Sequence, residues 1–262
     1  PQAELDRVAA SFVLPEGVSG AGAPPAPPKD VSGAFGRWLQ RNVHAHRLPG
    51  YRAVTLSLKR AGQAPGDVTA DQMDAAATIA ERFSHGELRV THDQNLVLPW
   101  VRESDLAALW QAARDATFAT PNIGLVTDMI ACPGGDFCGL ANARSLPLAA
   151  ELTERYADLD EVYDIGDIDL HVSGCINSCG HHHSGHIGVL GVDKDGSEWY
   201  QVTIGGSDGS TLSGAAVPGK VIGPSFAADE VADAIEAVSR QWSNITNHST
   251  RTPGGAARCT TR

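Results

Sequence analysis

The sequence predicts an α+β fold in two units, and three observations predict it. Residues 36–118 carry a strand, a helix, two strands and a helix in that order, residues 119–242 carry a second alternation of strands and helices, and 262 residues suffice for one large core or two smaller ones. Hydrophobic content of 42% with 19% charged residues is ordinary for a globular chain, while 28 glycines and 15 prolines make it loop-rich.

Each element has a local reason. Residues 3–13 have a short helical pattern, and Ala23-Pro24-Pro25-Ala26-Pro27-Pro28 then reads as a linker, because proline fixes φ and donates no hydrogen bond. Val54, Leu56 and Leu58 alternate with Thr55, Ser57 and Lys59, which predicts a half-buried strand. Thr69-Ala70-Asp71-Gln72 has the form of a capping box, with Met73, Ala76, Ala77, Ala80 and Phe83 at helical spacing behind it and Gly86 as the stop. Strands follow over 87–91 and 95–100, then a helix from Ser104 with Leu106, Leu109, Trp110 and Ala113 inward.

In the second unit, residues 123–130 lead into a cysteine loop, residues 137–144 are expected to start a helix, and another helix covers 146–157. Ile168, Leu170 and Val172 make a strand. Residues 186–192 and 199–204 pair about a turn at Lys194-Asp195-Gly196, and Val231, Ala234, Ile235 and Val238 mark a closing helix. Apolar periodicity stops beyond Arg240, so residues 243–262 read as an irregular tail.

A formal net charge of -11 argues against nucleic acid or an anionic membrane as partner, since both require basic surface. No apolar run is long enough to span a bilayer and no charged-then-apolar leader follows Pro1, so the expected compartment is the cytoplasm, where thiols stay reduced. The first residue is Pro rather than Met, so the sequence is expected to be a piece of something longer.

The chemistry is concentrated in two cysteine pairs, Cys132-Pro-Gly-Gly-Asp-Phe-Cys138 and Cys175-Ile-Asn-Ser-Cys179, the second followed by Gly180, His181, His182, His183 and His186. Thiolates select zinc, copper(I) or iron–sulfur clusters. Zinc usually takes pairs separated by two to four residues, so the wider first loop favours a cluster, whose iron corners stand further apart than the ligands of one zinc ion. Gly134, Gly135 and Gly180 allow close backbone approach, with N–H groups aimed at sulfur. Zinc, a pair of disulfides and buried thiols remain the alternatives. Three consecutive histidines cannot all face one ion, so His181, His182, His183 and His186 are expected to pack around the ligands. Cys259 reads as incidental.

Thr127-Asp128-Met129-Ile130-Ala131-Cys132-Pro133-Gly134, Cys138 and Ser173-Gly174-Cys175-Ile176-Asn177-Ser178-Cys179-Gly180-His181-His182-His183 together resemble the C-x5-C…C-x3-C signature of the siroheme and 4Fe-4S sulfite and nitrite reductases. The resemblance runs from about residue 33 to about residue 238, and Arg89-Val90-Thr91-His92-Asp93-Gln94-Asn95 carries it in the first unit. It implies a ferredoxin-like half-domain at 36–118 followed by an α/β siroheme- and 4Fe-4S-binding domain at 119–242. It further implies a 4Fe-4S cluster on Cys132, Cys138, Cys175 and Cys179. Cys179 would bridge to siroheme at the catalytic centre, with Asn177 as a cofactor contact beside it. The implied reaction is six-electron reduction of sulfite to sulfide or nitrite to ammonia, with ferredoxin or an NADPH-flavoprotein as donor.

Siroheme carries eight carboxylates and the substrate is an anion, so Arg and Lys should line their site. The lysines are few: Lys29, Lys59, Lys194 and Lys220. Arg144 is the leading candidate for a siroheme carboxylate, with Arg89 and His92 as further ones. The family carries two copies of the half-domain and this sequence one, so it resembles the C-terminal half, with the N-terminal half as a missing partner. A non-catalytic metal-binding module is the competing class. Replacing any of Cys132, Cys138, Cys175 or Cys179 by Ser should abolish iron binding in anaerobically prepared protein, while Cys259→Ser should leave it intact. Full iron in two of the four variants would overturn that ligand set.

Overall fold

The structure, a computed structural model, describes residues 1–18, 33–209 and 215–249, with side chains up to Trp242. The proline run at 24–28, the tail from 253 and Cys259 lie outside the described residues. The fold is α+β, and the chain divides into two compact units.

The first unit comprises Pro1–Leu56, Val68–Thr91 and Leu96–Pro121. Helix α1, Gln2–Ala10, buries none of its side chains. Helix α2, Gly33–Asn42, buries Trp38 and leads into β1, Val43–Ala45, and β2, Tyr51–Leu56. Then come α3, Ala70–Phe83, β3, Arg89–Val90, β4, Leu96–Arg102, and α4, Leu106–Asp115. The sheet has the order β1-β2-β4-β3 and every neighbouring pair is antiparallel. Neither α2 nor β1 is expected from the pattern, since α2 offers just one i, i+3, i+4 set, Phe35, Trp38 and Leu39.

The Thr69 hydroxyl accepts the Gln72 N–H, and the Gln72 side chain accepts the Thr69 N–H, so the capping box is complete. Behind it the inward face is Ala76, Ile79, Ala80 and Phe83, an i, i+3, i+4, i+7 stripe. Met73 and Ala77, expected inward, face outward, because the stripe begins a turn later than the capped end. Gly86 stops the helix at φ +74, donating its N–H to Ala80 O at 2.9 Å. Trp110 is half-buried rather than inward, its ring set against Phe35 at 5.0 Å and under the Arg114 guanidinium at 4.8 Å.

The second unit comprises Ser57–Asp67, His92–Asn95 and the chain from Asn122 onward. Its elements are β5, Ile130–Ala131, α5, Leu146–Arg155, α6, Leu159–Ile165, β6, Leu170–Ser173, β7, Ile187–Lys194, and β8, Ser197–Ile204. They are followed by β9, Ser207–Asp208, β10, Ala216–Val217, β11, Lys220–Ala227, and α7, Val231–Ser249. A mixed sheet runs β11-β8-β7-β6-β5, with β5, β6 and β7 mutually parallel and β8 and β11 antiparallel to their neighbours. Asp195 and Gly196, at φ +57 and +80, make the tight hairpin turn between β7 and β8. Leu148, Leu152, Val162, Ile165, Leu170, Val189, Val202 and Ile235 are among the side chains that fuse helices and sheet into one core.

Three expectations for this stretch fail, each for a physical reason. Residues 54–59 are buried on both faces, because the polar members find partners: Thr55 Oγ1 pairs with His44 Nε2 at 2.9 Å, and Ser57 donates to Asn122 Oδ1 at 2.8 Å. Residues 137–144 form no helix; a single 3-10 turn at Gly134–Asp136 gives way to turns, and Pro147 in the first turn of α5 prevents a helix from running through from before it. Helix α7 continues past Arg240 to Ser249, since no Gly or Pro interrupts the chain before Pro253. Among the described residues, no helix is long and apolar enough to cross a membrane.

Replacing Thr69 by Ala removes one capping bond and should cost about 1 kcal/mol. A thermal melt should register this as a fall of about 2–4 °C. An unchanged melting temperature would mean that the box contributes nothing to stability.

Candidate functional site

Cys132 directly follows β5 and the Cys175 loop directly follows β6, so both cysteine loops leave neighbouring parallel strands at their carboxyl ends, the usual place for ligands in such sheets. The Cys132 N–H donates to Val172 O at 3.0 Å, which fixes the register of the two loops at their roots. None of the four thiols is in a disulfide; Cys132 and Cys175 are buried, Cys138 half-buried and Cys179 exposed.

The loops are locked together at Gly174. Its carbonyl accepts N–H groups from Asn142 at 2.8 Å and Ala143 at 3.1 Å, and its own N–H donates to Cys132 Sγ at 3.1 Å. A Cβ on Gly174 would lie 2.6 Å from Ala143 O and 2.8 Å from Gly134 Cα, so neither loop tolerates a side chain at this contact. Gly134 itself has φ +57, the left-handed region. The N–H aimed at sulfur therefore comes from Gly174; Gly135 donates instead to Ala143 O at 3.0 Å, and Gly180 to Ser173 Oγ at 3.1 Å. Ser145 Oγ stands 3.5 Å from Cys132 Sγ.

The chemistry of this donor set fits a cluster: four soft thiols, two of them buried, and an N–H···S bond of the kind that tunes a cluster. Among the described residues no three His, Cys, Asp or Glu side chains are gathered at one point, so the four thiols are near one another through their loops without converging on a single position.

The histidines divide. His186 is buried, accepts the Asp169 N–H on Nδ1 at 3.1 Å and stacks on Trp242 at 5.4 Å, which is a packing role. His171 donates from Nδ1 to His181 O, 2.9 Å away, and burial lowers its pKa. His182 is buried with neither ring nitrogen hydrogen-bonded, against the His183 ring at 3.9 Å. Burial, then His183 and His171, pushes its pKa down from 6.5 to about 4.

The cationic candidates already have partners. Arg144 donates through Nε to both Glu198 oxygens, at 3.1 and 3.2 Å, and that bond raises its pKa. Arg89, in the first unit, pairs with Glu87 at 2.5 Å. His92 is exposed, 3.4 Å from Asp93. Asn177 is exposed on the second loop, within one turn of Cys175.

Sequence reasoning missed a buried polar group behind the first loop. The Lys59 ammonium, 3% exposed, donates to Asp93 O at 2.7 Å and stands 3.4 Å from Asp128 Oδ1. Asp128 also accepts from Asn95 Nδ2 at 2.9 Å and from the Gly124 N–H at 3.0 Å. Burial pulls both members of the pair toward neutrality, lowering Lys59 and raising Asp128, and each opposes the shift of the other. A cavity of about 290 Å³ opens alongside, lined by Asp93, Asp128, Asp169, Asp208, His171 and His181 among others. His92, the exposed cofactor candidate, also lines this cavity, so aspartates and histidines share its wall.

Residues 47–116 match the family model described as the nitrite/sulfite reductase ferredoxin-like half domain, and residues 125–260 match that of the nitrite and sulphite reductase 4Fe-4S domain. The chloroplastic ferredoxin–nitrite reductase of Betula pendula is 33% identical over 184 residues, 66% of this chain and 30% of that protein. Sulfite reductase [ferredoxin] 1 of Mycolicibacterium paratuberculosis is 28% identical over 204 residues, 74% of this chain and 36% of that one. Among solved structures, the Mycobacterium tuberculosis NirA protein superposes with a TM-score of 0.61 at 25% identity, covering 90% of this chain and 41% of that chain. The chain thus spans about a third of the length of these relatives.

A buried histidine that stays neutral until about pH 4, but takes a proton near 6.5 when unfolded, makes the unfolded state bind more protons in between. Stability from this group should therefore fall as pH drops from about 6.5 to about 4, and stay level above. Comparing melting temperature against pH for the parent and His182→Leu should give a shallower acid slope in the variant. Parallel curves would rule out a buried neutral His182.

Proposed function

Since the chain belongs to the nitrite and sulfite reductase 4Fe-4S family, we propose that it is the cluster-bearing portion of a reductase that takes sulfite or nitrite through six electrons. Siroheme and a 4Fe-4S cluster are the cofactors that its domains and relatives imply, and when bound they supply single electrons and an open metal position to the anion. Cys132, Cys138, Cys175 and Cys179 hold the cluster in this reading. Cys179, the exposed thiol, would also hold siroheme, and Asn177 would be a contact beside it. The observation that carries the reading is the pair of thiol loops at the carboxyl ends of adjacent parallel strands, locked through Gly174.

The chain's own residues do two things here. The Gly174 N–H stabilises the Cys132 thiolate and fixes its direction, and burial of Cys132 and Cys175 keeps water from two of the four ligands. Arg144, Arg89 and His92 are the local groups for siroheme carboxylates. The Arg144–Glu198 and Arg89–Glu87 pairs are largely exposed, and such pairs contribute about 0–1 kcal/mol, so exchange of a glutamate for a cofactor carboxylate is inexpensive. Ferredoxin is the donor that the names of the relatives favour over an NADPH-flavoprotein, and the cytoplasm is the compartment that reduced thiols favour.

Stabilising charge on a reacting anion takes several converging cations. The three candidates do not supply them, so the preceding half of a longer protein is the proposed source. Anaerobically prepared chain should hold about four irons and little zinc. With a dye donor it should reduce sulfite or nitrite only weakly until that half is supplied. Stoichiometric zinc without iron would favour a zinc-stabilised, non-catalytic module instead, and turnover of roughly 1 per second or more by the chain alone would refute the need for a partner half.

A further inference from the structure

Among the described residues, strand β5 lies at the edge of its sheet, with β6 on one side and no strand on the other. Along a parallel strand the N–H and C=O of one residue point to the same side, and the next residue points the other way. Cys132 turns its N–H toward β6, donating to Val172 O, so Ala131 presents both of its groups to the open edge. A single side chain takes both: Gln94 Oε1 accepts the Ala131 N–H at 3.0 Å and Gln94 Nε2 donates to Ala131 O at 2.8 Å. One amide thus replaces the missing neighbouring strand at the residue immediately before the first thiol.

Gln94 is itself held. It sits at φ +56, in the left-handed region that non-glycine residues seldom adopt. The residues on either side are anchored, Asp93 through its carbonyl to Lys59 Nζ at 2.7 Å, and Asn95 through the Leu58 N–H at 3.0 Å and Asp128 Oδ1 at 2.9 Å. A Cβ on Gly66 would lie 2.8 Å from Gln94 Cβ, so glycine there leaves Gln94 its place.

We propose that Gln94 is a positioning residue for the cluster: it clamps the end of β5 from the open edge while Val172 holds it from within, and so fixes where the Cys132 sulfur meets the metal. This role rests on the assignment of Cys132 as a cluster ligand. It predicts that the clamp governs cluster retention more than overall stability.

The test compares the parent chain with Gln94→Leu, which loses both bonds, and Gln94→Glu, which keeps the acceptor for the Ala131 N–H but loses the donor. Tyr156→Phe serves as a stability control, because it removes a buried hydrogen bond between Tyr156 and Ser239, neither of which belongs to a cysteine loop. In apo protein, Gln94→Leu should exchange the Ala131 amide hydrogen at least about tenfold faster, roughly the loss of one to two net hydrogen bonds. In reconstituted protein it should lose iron to a chelator about tenfold faster and change the electron paramagnetic resonance spectrum of the reduced cluster. Gln94→Glu should fall between, and it supplies the same readouts if the leucine variant does not fold. Tyr156→Phe should leave exchange at Ala131 and the spectrum as in the parent. Parental iron loss and spectrum in both Gln94 variants, or equal effects from Tyr156→Phe, would overturn the role while leaving the cluster assignment standing. A parent chain that takes up zinc and no iron would overturn both.

Discussion

Because Gly174 has no Cβ, its peptide can lie against Gly134 while its N–H reaches the Cys132 sulfur and its carbonyl takes two N–H groups from residues 142 and 143. Everything else at the site follows from that contact. The loop from Cys132 to Ala143 has no helix of its own to hold it, so its shape is set by what the neighbouring loop accepts and donates. Gly135, Phe137, Cys138 and Ala141 donate their N–H groups to carbonyls of the loop itself, and those of residues 142 and 143 are satisfied across the contact, as burial of peptide groups demands.

Behind the contact lies a second layer made of charge. Lys59 and Asp128 are both removed from water, a costly arrangement that is compensated only if the remaining donors and acceptors are used. They are used: Asp93 O, Asn95, Gly124 N–H and the Asp128 backbone complete the set. The result ties residues 57–67 and 92–95 to the segment that becomes β5. Hydrophobic packing alone would hold those segments near one another, but it is not directional enough to fix an edge strand two residues long.

Local chemistry made part of this legible from the residues alone. The capping box at Thr69, the stop at Gly86 and the Lys194-Asp195-Gly196 turn are each short-range patterns with one physical meaning, and each folds as read. The pairing of the two thiol loops was legible as a family pattern, not as geometry. What could not be read depends on tertiary partners. Lys59 looked like the solvent side of an alternating strand, since nothing in its neighbourhood announces that Asp128, far along the chain, will neutralise it. Residues 137–144 were expected to be helical, but the decisive features were Pro147 downstream and the carbonyl of Gly174, and only the first is visible locally. Gln94 lay inside a stretch that resembled the family, yet its function required knowing that β5 is an edge.

The distribution of charge gives the last constraint. The second unit places carboxylates around its cavity and engages Arg144 with Glu198, in a chain of net charge -11. On the proposed reading a cluster with four thiolate ligands is itself anionic, so this portion would add negative charge where an anionic substrate approaches. Two arrangements could relieve that conflict. Arg144 and Arg89 could give up their glutamates to cofactor carboxylates, which improves binding of siroheme but leaves the substrate face no more positive. Alternatively, a separate basic surface could close over the open face, and only this one attracts the anion and raises its local concentration. On the proposed reading the chain is therefore suited to holding and tuning the electron-carrying group. Its acidity is tolerable because the grip on the anion comes from elsewhere.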